Sequence, residues 1–318
     1  MRGGIDLGGT KIQAVVVDDD SAVLGQARVP TPTEGGPADV SEAMAGALRD
    51  AATQAGVETR DLMGVGVGSP GAVDELGGTV ASARNLPGWE GTFALGKDLG
   101  GRLGAQVSLG NDVQVATDAE FQLGAAREFD SVLGVFWGTG VGGGIVLDGK
   151  PWVGRGAAGE IGHVVVRRDG AQCPCGRRGC MEAYAGRGAM EAHARRLQAK
   201  GEHTDLFEIM SRRGRERLTS GVWARALRAE DTMAVKIVAR AISALGAGVA
   251  STQNILDVEA VIIGGGLGIR LGEPYAARIA SAMQPHLFQD TKPPVVRLAA
   301  LGDLGGAVGA ALLAKPEG

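Results

Sequence analysis

With 318 residues, 44% of them hydrophobic and 21% charged, the chain has an ordinary globular composition and exceeds the length at which a single core stays undivided, so two domains are expected. A net charge of −4 at pH 7 without a basic tail argues against nucleic acid as the main partner. Glycines interrupt the uncharged stretch 131–147, which disfavours a membrane span, and no basic start or apolar leader precedes Asp6; a cytoplasmic protein is expected.

Gly3-Gly4-Ile5 leads into the turn Gly8-Gly9-Thr10, and Ile12–Val17 then reads as a strand ending at Asp18-Asp19-Asp20: a glycine-tipped β-hairpin. Strands are expected at 63–68, 106–110, 163–166, 259–263 and 295–299, alternating with helices, so the class is α/β. A second hairpin of the first kind spans 132–148, with Gly138-Thr139-Gly140 at its tip. Two such hairpins about 130 residues apart predict an internally duplicated chain whose domains face each other across a cleft. Ala234, Ile237, Val238, Ala241, Ile242, Leu245 and Val249 recur at three- and four-residue intervals and predict a long helix over 230–256. Further helices are expected at 40–56, 91–103, 112–127, 187–200, 268–284 and 304–314. The segment Arg187–Lys200 and the arginine-rich run 212–228, with its stripe of Leu218, Val222 and Leu227, read as solvated helical surface without chemistry.

Glu160-x-x-His163 is followed by Cys173-x-Cys175-x4-Cys180-x-Glu182, and these are the only three cysteines of the chain. One imidazole and three thiolates make a closed Cys3His set, which predicts one structural zinc held by His163, Cys173, Cys175 and Cys180. The competing readings fit less well. An odd number of cysteines leaves a thiol unpaired, a disulfide across one intervening residue has poor geometry, and scattered core cysteines would not fall within eight residues.

Asp6-Leu7-Gly8-Gly9-Thr10-Lys11 has the parts of a phosphate cradle: approachable backbone N–H groups, a hydroxyl, an ammonium, and a carboxylate suited to hydrated Mg2+. Alone, it reads more readily as a hairpin turn with no ligand, the commoner case. The second loop, Gly138-Thr139-Gly140, favours the functional reading, since two such turns can grip consecutive phosphates of one nucleotide. The Walker pattern is absent. Asn111-Asp112, between a strand and a helix, reads either as a helix cap or as an edge of the phosphate site in which Asp112 accepts a hydroxyl proton.

Together, Asp6–Lys11, Asn111-Asp112, Gly138-Thr139-Gly140, Glu160-x-x-His163 and the cysteine cluster resemble the ROK sugar kinases nearly end to end. Through Gly68-Ser69-Pro70-Gly71-Ala72-Val73-Asp74 and Asn85-Leu86-Pro87-Gly88-Trp89 the chain is most similar to the bacterial ATP-dependent glucokinases of that family. The resemblance implies a duplicated two-domain fold of the actin-like, ribonuclease H-like kind. Its small N-terminal domain would span 1–111 and be completed by a C-terminal helix at about 303–318, and its large domain, 112–302, would carry the zinc motif. It implies phosphorylation of an aldohexose, most of all glucose, at its 6-hydroxyl, with MgATP as donor and Asp112 as general base. Gly71, Asn85, Asn111, Glu160, His163 and Glu182 would contact the sugar, His163 while also bound to zinc. Gly8, Gly9, Thr10 and Lys11 would flank the phosphates with Gly138, Thr139 and Gly140; Gly264-Gly265-Gly266 would lie near adenosine, and Asp6 would place Mg2+. A homodimer or homotetramer is expected. The alternatives are kinases for N-acetylmannosamine, N-acetylglucosamine or fructose, use of polyphosphate as donor, and a sugar-responsive regulator. The regulator needs a DNA-reading domain ahead of the kinase-like body, whereas here the phosphate loop begins at Asp6. The run Asp112-Val113-Gln114-Val115-Ala116 departs from the small residues that commonly follow the base in glucokinases.

Overall fold

The structure, a computed structural model, describes residues 1–83 and 86–314. In chain order it begins with β1 (Arg2–Leu7), β2 (Lys11–Val17), β3 (Val23–Pro30), α1 (Pro37–Ala55), β4 (Val65–Ser69), β5 (Ala72–Asp74) and β6 (Thr79–Ala81). There follow β7 (Thr92–Phe93), α2 (Leu95–Leu103), β8 (Val107–Asn111), α3 (Asp112–Gln122), β9 (Val132–Trp137), β10 (Val141–Leu147) and β11 (Lys150–Pro151). The helices α4 (Glu182–Ala185), α5 (Arg187–Ala199), α6 (Leu206–Arg212), α7 (Ser220–Arg228) and α8 (Thr232–Leu256) come next. The described chain closes with β12 (Ala260–Gly264), α9 (Gly265–Leu271), α10 (Glu273–Met283), β13 (Val295–Leu298) and α11 (Gly305–Leu312).

The duplication expected from the two glycine-tipped hairpins is visible in the sheets. One has the order β3-β2-β1-β4-β8 and the other β11-β10-β9-β12-β13. In both, an antiparallel hairpin is extended by two parallel strands: β1 pairs antiparallel with β2 and parallel with β4, and β9 does the same with β10 and β12. The hairpins start at equivalent points, with Leu7 opposite Ile12 and Trp137 opposite Val141. A small third sheet, β5-β6-β7, is antiparallel.

The chain divides into two compact units. One comprises Met1–Arg127, Pro151–Ala158 and the segment from Ala300 on; the other comprises Glu128–Lys150 and Gly159–Ala299. The division after Arg127, rather than the expected one between Asn111 and Asp112, has a local cause: α3 packs on α11 inside the first unit. Gly309 of α11 faces Val115 and Ala119 of α3 so closely that a β-carbon there would lie 2.6 Å from the Val115 carbonyl oxygen.

In the first unit, alternation along β2 serves two layers. Ile12, Ala14 and Val16 join Ile5, Leu7, Met44, Leu48, Leu95 and Leu99 in a core shared with α1 and α2. Val15 and Val17 point the other way, into a cluster with Ala307, Val308 and Ala311 of α11. Gly4 and Gly66 let α11 rest on β1 and β4 backbone to backbone, because a methyl group at either would overlap the carbonyl oxygens of Ala307 or Ala310. In the second unit, α8 is the central helix. The Asp231 carboxylate caps it by accepting from Ala234 N at 2.7 Å, and Gly246 and Gly248 admit α10 and Met181. By length and composition α8 could cross a membrane, but 67% of its most apolar window is buried inside the protein.

Several elements differ from expectation. The run 163–166, with its three valines, is not a strand: Ile161–His163 is a 3-10 turn, and Val165 makes one isolated bridge to Cys180, since the cysteine loop folds back over it. The helix expected at 268–284 is two, broken at Gly272, whose φ of 79° is left-handed, with Pro274 in the first turn of α10. The helix expected at 112–127 ends at Gln122, where Glu120 accepts from Ala125 N. The one expected at 91–103 begins only at Leu95, after the short strand β7. Strand β3, not among the expected strands, is an edge strand with most of its side chains exposed; Gly25, Ala27 and Val29 alternate inward, but they are small and carry a weak apolar signal.

Buried Asp118 on α3 accepts from Gln114 Nε2 at 2.7 Å. Burial pushes its carboxyl up to about 7; the Gln114 hydrogen bond opposes the rise and the nearby charge of Glu75 adds to it. The folded protein therefore holds this proton up to about pH 7, whereas an unfolded Asp releases it near 3.8. Its contribution to stability falls as pH rises across that interval, and the penalty is fully present above about pH 7. Asp118→Asn should stabilise the protein at pH 8 by on the order of 1–3 kcal/mol and have little effect near pH 4, as denaturant melts at the two pH values will show.

Candidate functional site

In an open α/β sheet the carboxyl ends of parallel strands leave backbone groups for a ligand. In the first unit three such ends bring the expected residues together. Asp6 on β1 pairs with Gly68 on β4, and Ser69 at the end of β4 pairs with Asn111 at the end of β8. Asp112 follows as the first residue of α3, and a β-carbon on Gly68 would lie 3.3 Å from its Cα. Asn111 is the helix cap: its Oδ1 accepts from Val113 N and Gln114 N, both at 3.1 Å. Asp112 Oδ1 accepts from Val113 N at 3.0 Å, which fixes the carboxylate on the helix start. Capping and presentation of Asp112 are thus one arrangement. Gly71 has φ +93°, and a β-carbon there would meet the Ala81 carbonyl oxygen at 2.7 Å, so only glycine fits this turn. Asn85 lies outside the described residues.

The first hairpin turn closes through Gly8 N donating to Lys11 O at 3.0 Å, and Thr31 Oγ1 donates to Gly8 O at 2.6 Å. Gly9 and Thr10 form its exposed tip. Lys11 Nζ stands 3.7 Å from Asp303. Burial raises the Asp6 carboxyl above its ordinary range; Lys11 opposes the rise and Asp303 adds to it. Gly306 at the start of α11 leaves the space that Asp6 occupies, since a β-carbon there would lie 2.9 Å from its carboxylate.

The second unit repeats the turn in shorter form, with Gly138 N donating to Gly140 O at 3.0 Å and Thr139 exposed at the tip. Gly264-Gly265-Gly266 follows parallel β12. Gly265 has φ +78° and backs onto the Trp137 carbonyl, while a β-carbon on Gly138 would approach Gly266 N at 3.9 Å. The two glycine segments therefore sit side by side.

The cysteine cluster lies in the same unit. His163, Cys173, Cys175 and Cys180 bring one ligand atom each within 4.8 Å of the others. Cys175 and Cys180 sulfurs are 3.8 Å apart, as are Cys173 Sγ and His163 Nδ1. A tetrahedron with metal–sulfur bonds of about 2.3 Å has sulfur–sulfur edges of about 3.8 Å, so the donors fit a single tetrahedral ion. Burial pushes the Cys173 thiol up to about 12 and raises Cys180 too, which disfavours free thiolates there. At Cys175 burial also opposes ionisation, but hydrogen bonds from Arg177 and from the neighbouring thiols outweigh it and bring that thiol down to about 6.

The cluster reaches the expected sugar contacts. His163 presents Nδ1 to the sulfurs and Nε2 toward Glu160, whose carboxylate is 3.8 Å away. Glu182 joins the cluster to the second turn: Oε1 lies 4.0 Å from Cys173 Sγ, and Oε2 accepts from Val141 N at 2.9 Å. Gly140 leaves the space that the Glu182 carboxylate occupies, because a β-carbon there would overlap Oε2 and displace it.

Arg187, expected on a solvated surface without chemistry, is half-buried and donates to Thr139 Oγ1 at 2.8 Å and to Ser220 Oγ at 3.1 Å. Its backbone N–H donates to Gly138 O, and that of Gly188 to Thr139 O. A signal was present: a cation on the first residue of a helix runs against the helix dipole. The run 212–228 was also read too simply, since Trp223 is fully buried beside Leu218 and Val222.

The ROK family profile matches residues 2–317. The chain belongs to the ROK family. It is 34% identical over 271 residues to the glucokinase of Thermotoga maritima, covering 85% of this chain and 83% of that one. It is 32% identical over 320 residues to an N-acetylgalactosamine kinase of a Shewanella species, covering 98% and 95%. Among solved structures, a ROK family glucokinase from Streptomyces griseus in complex with glucose and AMPPNP superposes with a TM-score of 0.84 at 33% identity, covering 98% of each chain. The two-domain α/β architecture is that of the ROK sugar kinase structures, an actin-like fold.

Proposed function

We propose that this ROK protein transfers the γ-phosphoryl group of MgATP to the 6-hydroxyl of an aldohexose, with glucose the preferred acceptor. The observation that carries this reading is the placement of Asp6 and Asp112 on either side of Gly68 at the carboxyl ends of three parallel strands, with the Asp112 carboxylate fixed by Val113 N. Phosphoryl transfer needs alignment and charge neutralisation more than covalent help, and this set of residues supplies both without a Ser-His or Cys-His nucleophile.

In this reading Asp112 takes the proton of the 6-hydroxyl as that oxygen bonds to the γ-phosphorus; the bond to the β–γ bridging oxygen breaks, and ADP leaves with that electron pair. Glu160, His163 and Glu182, with Asn111, Asn85 and Gly71, hydrogen-bond the remaining hydroxyls, where an epimer would leave buried polar groups unpaired. Gly8–Lys11 and Gly138–Gly140 receive the phosphates, Gly264–Gly266 the adenosine, and Asp6 the hydrated Mg2+. The Cys3His set holds zinc through His163, Cys173, Cys175 and Cys180. With four protein ligands the ion has no open position, so its contribution is rigidity. It would pin His163 through Nδ1 and the loop that carries Glu182, leaving Nε2–H for Glu160 or a sugar oxygen.

The similarity to an N-acetylgalactosamine kinase at 32% identity supports a second reading, in which the acceptor is an N-acetylhexosamine. A coupled ADP-release assay across glucose, mannose, fructose, N-acetylglucosamine, N-acetylmannosamine and N-acetylgalactosamine separates the two. The highest kcat/KM should fall on glucose, and a preference for an acetamido sugar would replace the first reading by the second. Asp112→Asn should lower kcat by about 10²–10⁴-fold, because a general base is worth that much, with an unchanged melting temperature. Near-normal turnover in that variant would remove Asp112 from the mechanism. Elemental analysis should find about one zinc per chain. Cys175→Ala should lose the metal and several kcal/mol of stability, since binding energy at a structural site is folding energy; a stable, metal-free wild type would refute the assignment.

A further inference from the structure

We propose that Arg187, held by the hydroxyls of Thr139 and Ser220, binds the terminal phosphate of the nucleotide product and the same phosphate in the donor. This deepens the donor side of the proposed function and rests on that reading.

The guanidinium lacks a counter-charge. Among the described residues no carboxylate oxygen lies within 4 Å of Arg187, and its side chain donates to two neutral hydroxyls, Thr139 Oγ1 and Ser220 Oγ. The one acid placed to help, Glu191 one turn later on α5, is already engaged. Its Oε1 accepts from Arg195, and its Oε2 accepts from Arg217 Nε at 3.2 Å and Leu218 N at 3.0 Å. Arg187 is also the first residue of α5, where the helix dipole is positive, and the first turn carries no acid to offset it. Burial disfavours its charge further, and Arg217 adds repulsion that Glu191 only partly opposes. A guanidinium stays protonated at any pH a protein survives, so these unfavourable terms stand until an anion arrives.

The surroundings say which anion. The Arg187 and Gly188 backbone N–H groups tie the start of α5 to Gly138 O and Thr139 O, which locks the side chain to the glycine turn. Ser220 faces the second glycine segment, since a β-carbon on Gly266 would lie 3.8 Å from its Oγ. One cation and two hydroxyls thus converge where two glycine segments expose backbone next to each other. Planar, forked N–H donors match phosphate oxygens, whereas a neutral sugar offers nothing that needs this charge.

The test is binding of ADP and of AMP to the full-length protein by titration calorimetry, for wild type, Arg187→Gln and Arg187→Lys. Charged hydrogen bonds of this kind predict that Arg187→Gln weakens ADP by about 10–100-fold while AMP changes less than about threefold, with Arg187→Lys in between. The melting temperature without nucleotide should stay the same or rise, because the variant sheds an uncompensated charge. ADP binding within twofold of wild type in Arg187→Gln overturns the inference, and so does an equal loss for ADP and AMP, which would mark a collapsed loop. A wild type that binds no ADP overturns the donor reading and this inference with it, whereas tight wild-type binding with an indifferent variant overturns the inference alone.

Discussion

Helix α11 lies on β1 and β4 at backbone distance, and the expected catalytic side of the first unit depends on that contact. It is possible only because positions 4 and 66 are glycine. From there α11 presents Gly306 to Asp6 and Gly309 to α3, so one helix from the far end of the chain sets both the Asp6 carboxylate and the helix that begins with Asp112. Gly4, Gly66 and Gly309 omit side chains that would hold two backbones apart, and Gly306 leaves room for the Asp6 carboxylate. Glu120 completes the arrangement by accepting from Ala300 N and Leu301 N, which anchors the approach to α11.

The second unit reaches its geometry by a different device. Its expected sugar-facing groups lie on the turn Ile161–His163 and its N-cap Glu160 and at the start of α4, beside a buried cluster of Cys173, Cys180, Ala183, Tyr184 and Ala244. His163, Cys173, Cys175 and Cys180 bring their ligand atoms within 4.8 Å of one another there. Glu182 then ties the cluster to the hairpin turn through Val141 N, with Gly140 leaving room for the carboxylate. A shift of the cysteine loop would therefore be felt at Gly138–Gly140, and through Arg187 N and Gly188 N at the start of α5 as well.

Much of this was legible in the residues. Hairpins announce themselves by β-branched runs on either side of glycine, and the Cys3His cluster by its cysteine spacing, because both are local patterns whose residues sit within a few positions. The long period of α8 was equally plain. What failed were segments whose local preference is overridden by neighbours. Val164-Val165-Val166 has strand composition but finds only Cys180 to pair with, and β3 is a strand because β2 offers it an edge, with only Gly25, Ala27 and Val29 on its inward side to advertise it.

By itself the sequence determined the α/β class, the duplicated hairpins, the Cys3His set and the Asn111-Asp112 junction, since each is written in neighbouring residues. Only the tertiary structure decided that α3 belongs with the first unit, that Glu182 serves both the cysteine cluster and the second turn, and that Arg187 stands against Thr139 and Ser220 with its nearest acid already spoken for. The reason is physical. Those facts depend on which backbones approach closely and where a charge ends up relative to groups tens of residues away, and no local periodicity records either.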